Sequence, residues 1–316
     1  MLRRLALAGL APIGGCALIP PAPQSAALAL APPSGLAPRR ELPAVPFFAQ
    51  TQYQCGPAAL ATVLVHAGVD ANPERLAEQV FLPAREGSLQ LEMLAGARRA
   101  QLLPVRLPRT MSALLAEVDA GHPVVVLQNL GLPIYKVWHY AVLVGYDVAA
   151  REVVLRSGAT EREVLSWDLF ERTWARSGYW AFVVSVPGRL PPTALETDAV
   201  DAALGFERAV ASPGARAAVY DSVVARWPDN LAALIGQGNA RAELGDWPGA
   251  ARSFEHAARH HDSAAAWHNL GLARWRLGER EAARAAAQRA LARAIASEPA
   301  WRDAAHRLVE QTGSAP

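Results

Sequence analysis

The stretch QTQYQCGPAALATVLVHAG, from Gln50 to Gly68, decides the fold of the first half of this chain. Cys55 follows a polar run and precedes Gly56 and Pro57, and an apolar segment with helical spacing then closes on the last glycine. Proline is favoured in the first turn of a helix and glycine at its end, so the pattern predicts a helix that begins at Cys55. Free N–H groups and the helix dipole favour a thiolate at that position. We therefore expect a reactive thiol with a lowered pKa rather than a buried structural cysteine.

The residues after this helix predict three more helices and then a change to strands. In chain order, the expected helices run from Asn72-Pro73-Glu74 to about Val80, from a cap at Gly87-Ser88, and over Met111 to Ala120. The expected strands are Pro123–Leu127, Trp138–Tyr146, Arg151–Leu155 and Trp180–Val186, with a turn at Asp147–Ala150. Helices first and antiparallel strands afterwards indicate an α+β domain.

His139 lies near the start of the strand WHYAVLVGY, on one face with apolar residues. A lone histidine in such a strand is usually a core residue whose ring nitrogens are hydrogen-bonded. The upstream cysteine at a helix N-terminus favours a second interpretation. Thiol catalysis needs an imidazole that exchanges a proton with the thiol and a third group that orients the ring. It also needs hydrogen-bond donors for the developing oxyanion. The sequence therefore predicts a Cys55–His139 couple.

The segments QTQYQCGPAALATVL and WHYAVLVGYD together resemble the bacteriocin-processing peptidases, family 39 of the cysteine peptidases, over roughly residues 44 to 187. Members of that family are papain-like domains that cut leader peptides after a double glycine, usually fused to an exporter. The resemblance implies a papain-like fold, a peptide or protein substrate, Cys55 as nucleophile and His139 as base. It places the oxyanion glutamine on Gln50, with Gln52 as the alternative because the spacing to the cysteine differs between members.

Two features of the sequence depart from that family. The sequence contains neither a GxxxxGK[ST] phosphate loop nor a predicted membrane span, which argues against a bacteriocin leader as the substrate. The family's aspartate on the strand after the histidine is also missing, and Ser157 stands at the expected position. We therefore predict that Ser157 orients the His139 ring. Two carboxylates compete for this role: Asp147, expected at the far end of the strand, and Asp168, expected to cap the following helix.

The first residues of the chain have the organisation of a secreted lipoprotein. A basic start, a short apolar run and the sequence IGGC ending at Cys16 resemble the lipobox of bacterial lipoproteins. We expect a signal peptide over residues 1–16, a lipid on Cys16, and a flexible Ala/Pro-rich tether over residues 17–43. Ala17 replaces the aspartate that retains lipoproteins in the inner membrane, so the periplasmic face of the outer membrane is the expected location. An ordinary signal peptide cleaved elsewhere is the alternative.

From Leu190 the composition becomes rich in alanine and arginine, and a repeat with a period of 33 residues emerges. Its four small residues are Gly238, Gly245, Ala250 and Ala257, which recur as Gly271, Gly278, Ala283 and Ala290. The pattern resembles the tetratricopeptide repeat. We expect an all-α repeat domain over 195–312 after a papain-like domain over 44–188, with an unrelated helical bundle as the alternative. A degenerate unit is expected over 198–227 and a capping helix over 301–311.

The composition narrows the classes of function. The net charge is only +2 and the arginines are scattered, so nucleic acid is not an expected partner. His256, His260 and His261 lack a convincing carboxylate or cysteine and are interpreted as solvated residues, so neither a metal nor another cofactor is predicted. The expected function is a lipid-anchored periplasmic cysteine peptidase that binds a protein partner through its repeats. A thiol amidase acting on peptidoglycan peptides and a non-catalytic adaptor remain as alternatives.

Overall fold

An α+β domain is followed along the chain by a helical domain, which confirms the predicted fold class. The computed structural model describes residues 21–49, 54–132 and 134–313. The helices are α1 Pro23–Leu30, α2 Cys55–His66, α3 Pro73–Val80, α4 Gln90–Arg99, α5 Met111–Asp119, α6 Trp167–Ala175, α7 Glu196–Ala209, α8 Pro213–Arg226, α9 Leu231–Glu243, α10 Trp247–His261, α11 Ala264–Arg276, α12 Arg280–Ala296 and α13 Arg302–Gly313. The strands are β1 Arg39–Glu41, β2 Leu103–Arg106, β3 Val124–Asn129, β4 Trp138–Asp147, β5 Glu152–Ser157, β6 Thr160–Ser166 and β7 Ala181–Ser185.

The seven strands form one antiparallel sheet in the order β2-β7-β3-β4-β5-β6, and β1 pairs with the C-terminal end of β4. Strand β3 is buried along its whole length, and β4 is buried except at its two ends. Helix α2 packs on β3, β4, β5 and β7, while α5 and α6 also contact the sheet. The sheet therefore positions the exposed start of β4, where His139 lies, against the N-terminal end of α2.

Helix α2 begins at Cys55 as predicted and is buried on nearly all sides from Gly56 to Leu64. The chain leaves it through Gly68, whose φ of +89° favours glycine. A Cβ atom on Gly56 would lie 2.4 Å from the Oγ of Ser88. The segment that leads into α4 thus packs directly on the first turn of α2, and only glycine leaves room for it.

The N-terminal segment contradicts the predicted flexible tether. Helix α1 is anchored by the buried carboxylate of Glu171, which accepts hydrogen bonds from the backbone N–H groups of Gln24 at 2.9 Å and Ser25 at 2.6 Å. The Ser25 hydroxyl donates to the same carboxylate at 2.6 Å. Strand β1 joins the sheet soon afterwards. The prediction is wrong from Pro23 onwards because Glu171 lies about 150 residues away in sequence, where no local pattern reveals it.

Several smaller expectations also need correction. Strands β1, β2 and β6 were not predicted, since they are short or, like β6, largely polar and exposed. Ser88 does not cap α4, which begins at Gln90 without a side-chain cap. Ser166 rather than Asp168 caps α6, because its Oγ accepts the N–H of Leu169 at 3.4 Å.

The helical domain consists of three hairpins, α7–α8, α9–α10 and α11–α12, followed by α13. Gly245 and Gly278 have positive φ angles at the turns of the second and third hairpins, as the repeat pattern predicts. A Cβ atom on Gly238 would lie 2.3 Å from the Phe254 ring, so α9 and α10 cross closely at this glycine. The helices therefore form tetratricopeptide-like units, including the degenerate first unit and the terminal helix. Within the described ranges, no helix has the length and hydrophobicity of a membrane span.

The two domains share a hydrophobic core. Leu103 and Val105 of β2 are fully buried and pack with Ala199 and Phe206 of α7. A buried glutamate adds a polar link nearby, because Glu117 on α5 accepts hydrogen bonds from Thr193, which precedes α7. The strand at the edge of the sheet is thus covered by the first helix of the repeat domain.

Candidate active site

Cys55 is the first residue of α2, and its side chain is half-buried. Its sulfur faces the backbone N–H groups of Gly56 and of Tyr140. Tyr140 follows His139 on β4, so the packing of α2 on the sheet brings the sulfur beside the start of this strand. The packing therefore brings the start of α2 close to the start of β4, and the roles of Cys55 as nucleophile and His139 as base stay predictions.

The ring of His139 is held by Ser157. Its Nε2 atom lies 2.9 Å from the Ser157 Oγ at the end of β5. When Nε2–H donates to this hydroxyl, the other ring nitrogen, Nδ1, keeps its lone pair and is available to accept a proton. Ser157 is only 8% exposed, which protects this hydrogen bond from water.

The two competing carboxylates lie elsewhere. Asp147 is at the far end of β4, where it pairs in register with Glu152 and accepts the N–H of Ala150. Asp168 is in the first turn of α6 and lies 3.2 Å from a nitrogen of Arg172. Among the described residues, the hydrogen bond of the His139 ring is the one to the serine hydroxyl. The arrangement predicted for the third residue is therefore the one observed, while its catalytic role stays a prediction.

Glu163 is a charged neighbour that the sequence interpretation missed. It lies on β6, in register with Leu155 of β5. Burial lowers the pKa of His139, and the negative charge of Glu163 opposes this shift in part. Strand β6 was not predicted, because its residues alternate between polar and apolar only weakly. A strand prediction there would have placed Glu163 beside the end of β5 that carries Ser157.

The electrostatic environment favours the neutral thiol and the neutral imidazole. Burial raises the pKa of Cys55, and the N–H groups of Tyr140 and Gly56 oppose this effect without cancelling it. Burial lowers the pKa of His139, and the charge of Glu163 opposes that shift only in part. The expectation of a lowered thiol pKa at the helix N-terminus is therefore wrong, since it omitted desolvation by the surrounding core.

The pH dependence of alkylation tests this state of the thiol. Iodoacetamide reacts with the thiolate, so a raised pKa means that Cys55 in the free protein reacts half-maximally at a higher pH than the cysteine of a short unstructured peptide. Alkylation quenched at timed intervals and followed by mass spectrometry measures the rate as a function of pH in the absence of substrate. A plateau of fast alkylation reaching down to mildly acidic pH would show instead a preformed thiolate–imidazolium pair.

Next to this site, Tyr140 on β4 and Trp180 before β7 form a contact that leads to a cavity. The Tyr140 hydroxyl donates to the carbonyl of Ser88 at 3.1 Å, and its ring meets that of Trp180 edge-on at 5.9 Å. Trp180 lines a cavity of about 660 Å³ between α4, β2 and α7. Neither Cys55 nor His139 is among the described residues that line it, so the cavity adjoins the candidate catalytic pair rather than containing it.

Three predicted residues, Gln50, Gln52 and Cys16, lie outside the described residues, so their predicted roles remain predictions. A different glutamine, Gln128 on β3, is the register partner of His139. Its amide donates to Thr173 Oγ1 at 2.7 Å in the buried core, so it is not available as an oxyanion donor.

Comparisons with known proteins agree with the class of the first domain. Residues 43–182 match the family model described as the Peptidase_C39 like family. A C39-like peptidase from Bacillus anthracis aligns with 20% identity and a TM-score of 0.39, covering 46% of this chain and 97% of that one. A double glycine motif protease from an AMS/PCAT transporter, solved with its leader peptide, aligns with 19% identity, a TM-score of 0.35, and coverage of 46% and 93%.

The helical domain has its own similar structure, the Sgt2 TPR domain from Aspergillus fumigatus. The alignment has 23% identity and a TM-score of 0.31, and it covers 36% of this chain and 72% of that one. No curated protein sequence is significantly similar to the chain. Residues 43–182 are thus similar to the C39-like peptidases, and the hairpins described above establish the helical domain that follows them.

Proposed function

We propose, from the premise that residues 43–182 are a C39-like peptidase domain, that this protein is a cysteine peptidase. The observation that carries the proposal is the contact between two elements. The sulfur of Cys55, at the start of α2, meets the backbone N–H of Tyr140, and the preceding residue is a histidine whose ring is held by Ser157. A thiol, an imidazole and an orienting hydroxyl are the groups that thiol-dependent acyl transfer requires.

In the proposed reaction, His139 Nδ1 accepts the thiol proton as the Cys55 sulfur bonds to the scissile carbonyl carbon. The oxyanion is stabilised by N–H groups at the start of α2 and by the side-chain amide of Gln50. Collapse of this intermediate breaks the C–N bond, and the imidazolium gives its proton to the leaving amine. Water then hydrolyses the thioester, with His139 again acting as base, and restores the free thiol.

Substrate profiling tests the reaction class. The wild-type protein and Cys55→Ala are incubated with a fluorogenic peptide library and, separately, with muropeptides. Cysteine-dependent cleavage within the library supports the proposal, while cleavage of muropeptides alone identifies an amidase. Absence of hydrolysis of either, with Cys55 still open to alkylation, would identify a non-catalytic adaptor.

The role of Ser157 is tested by two substitutions. Ser157→Ala removes one neutral hydrogen bond, worth roughly 0.5–1.5 kcal/mol, so hydrolysis should fall by less than about tenfold. Ser157→Asp adds a negative charge beside the imidazole, which raises the pKa of His139 and should retain or increase activity. The pH profile of kcat/KM separates positioning from a loss of folding, because the aspartate should change its acidic limb. A complete loss of activity in Ser157→Ala would contradict the proposed secondary role.

For location, we propose that a lipid on Cys16 anchors the protein to the periplasmic face of the outer membrane. Cys16→Ala should lose incorporation of labelled palmitate and release the protein from the membrane fraction. Fractionation and labelling in the same cells measure both effects, with Cys55→Ala as the matched control that keeps Cys16. Retention of Cys16→Ala on membranes would refute the anchor.

The repeat domain is proposed to bind a protein partner or an extended part of the substrate. Its hairpins leave a cavity of about 760 Å³, and this cavity is lined by residues of α7, α8, α9, α10 and α11 and of the turn before α9. The lining is mainly apolar at Leu204, Leu231 and Ile235, and it carries the acidic Glu196 and Glu207. These features suit a peptide segment with apolar and basic side chains.

A further inference from the structure

Three side chains with metal-binding atoms converge in the repeat domain, outside the candidate active site. They are Asp229, in the turn between α8 and α9, and His256 and His260, one helical turn apart on α10. One ligand atom from each lies within 4.8 Å of the others. The sequence interpretation found no carboxylate for these histidines, because Asp229 lies 27 residues before His256 and only the fold brings it near.

The distances inside this cluster match those between ligands of a tetrahedral metal. The Asp229 Oδ1 lies 2.8 Å from His256 Nε2 and 3.5 Å from His260 Nδ1. Zinc bonds to nitrogen and oxygen are about 2.0–2.2 Å long, so tetrahedral ligands lie about 3.3 Å apart. The observed separations bracket this value. The ligand atoms of the two imidazoles lie within 4.8 Å of each other, so an ion requires side-chain rotations that bring all three ligand atoms to the tetrahedral separation.

The surroundings hold the donors in place. The two imidazole rings stack with centroids 4.5 Å apart, which keeps both on one face of α10. A third histidine, His261, makes a 2.5 Å contact from its Nε2 to the backbone carbonyl of Asp229 and so fixes the turn against the same helix. Half of the His260 side chain and 64% of that of Asp229 are exposed, so an ion can enter from solvent.

We propose that Asp229, His256 and His260 form a binding site for a divalent transition metal of the Zn²⁺ class. Two imidazoles and one carboxylate are a donor set that such ions prefer to Ca²⁺ or Mg²⁺, which take oxygen ligands. The three protein ligands leave at least one coordination position open. The ion links the α8–α9 turn to α10, and Asp229 also lines the cavity between the hairpins. The site therefore stabilises one wall of this cavity, where we propose that the partner binds.

Zinc titration of the purified full chain, without an added histidine tag and after treatment with EDTA, tests this site. Isothermal titration should show one Zn²⁺ per chain, and Zn²⁺ should raise the Tm of the protein. His256→Ala, His260→Ala and the isosteric Asp229→Asn should each weaken binding by more than about tenfold, at least the loss seen when a supporting residue of a metal site is removed. His306→Ala, an exposed histidine on α13, is the matched control and should bind as the wild type does.

Cobalt distinguishes this site from binding at the catalytic thiol. Co²⁺ bound to the cluster should give visible d–d bands without a thiolate charge-transfer band, and Cys55→Ala should leave the spectrum unchanged. Circular dichroism verifies that each variant keeps its helices. Binding that survives in the double variant His256→Ala/His260→Ala, or no binding by the wild type, would show that the cluster is only a hydrogen-bonded group. Because these readouts do not involve hydrolysis, they are independent of the proposed peptidase activity.

Discussion

Cys55→Ala is expected to lower kcat/KM for peptide hydrolysis by a factor on the order of 10⁴ to 10⁶, the loss seen when a nucleophile is removed from a catalytic group that acts as a unit. The reason is geometric as well as chemical. The side chain lies at the first turn of α2 against β4, and no second cysteine is present among the described residues to replace it. Steady-state kinetics on the best library peptide measures the effect.

His139→Ala should lose activity to a similar extent, because the two residues act in one proton transfer. The double variant should therefore be no worse than either single one. Equal unfolding temperatures of wild type and variants serve as the control, since both side chains are only half-buried. Residual hydrolysis within tenfold of the wild type in Cys55→Ala would contradict the proposed nucleophile.

Gly238→Leu should destabilise the repeat domain severely. A Cβ atom at this position would lie 2.3 Å from the Phe254 ring, and a leucine adds three more carbons where α9 and α10 cross. Overpacking of a close-packed core typically costs about 1–3 kcal/mol, and the buried Phe254 ring leaves little room to relax, so we expect a cost at or above that range. Chemical denaturation followed by circular dichroism measures the change in the free energy of unfolding.

The matched control is Gly214→Leu in the first turn of α8. A Cβ atom there would meet only the Ser212 Oγ, at 4.0 Å, so this variant should unfold as the wild type does.

Gly238→Leu should also keep hydrolysis of short peptides and lose cleavage of a protein substrate that binds in the cavity between the hairpins. If the variant cleaves both substrates as the wild type does although its repeat domain is unfolded, the repeats have no role in substrate recognition.

Local patterns predicted the parts of the site that lie on single elements. The glycine and proline after Cys55 predict the start of α2, and counting through the turn after β4 predicts that Ser157 lies near His139. The pKa of the thiol could not be predicted in this way, because desolvation depends on how the whole core packs around the sulfur. The helix dipole and the free N–H groups alone predict a lowered pKa for Cys55, whereas its pKa is raised.

The features that the sequence could not predict depend on distant residues. Glu171 holds α1 from about 150 positions away, and Asp229 meets His256 from the turn between α8 and α9. In both cases a polar side chain in one element satisfies backbone or ring atoms of another. Periodicity describes what one element buries, whereas such polar contacts follow only from the arrangement of several elements.

If Cys16 carries the proposed lipid, the anchoring of α1 limits how far the first domain can lie from the membrane. Only six residues, and so seven Cα–Cα steps, separate Cys16 from Pro23, where α1 begins, and an extended chain spans at most about 3.6 Å per step. With a lipid on Cys16, the start of α1 is therefore confined to within roughly 25 Å of the bilayer surface. Such a short linker raises the effective concentration of substrates that are themselves tethered to the same membrane.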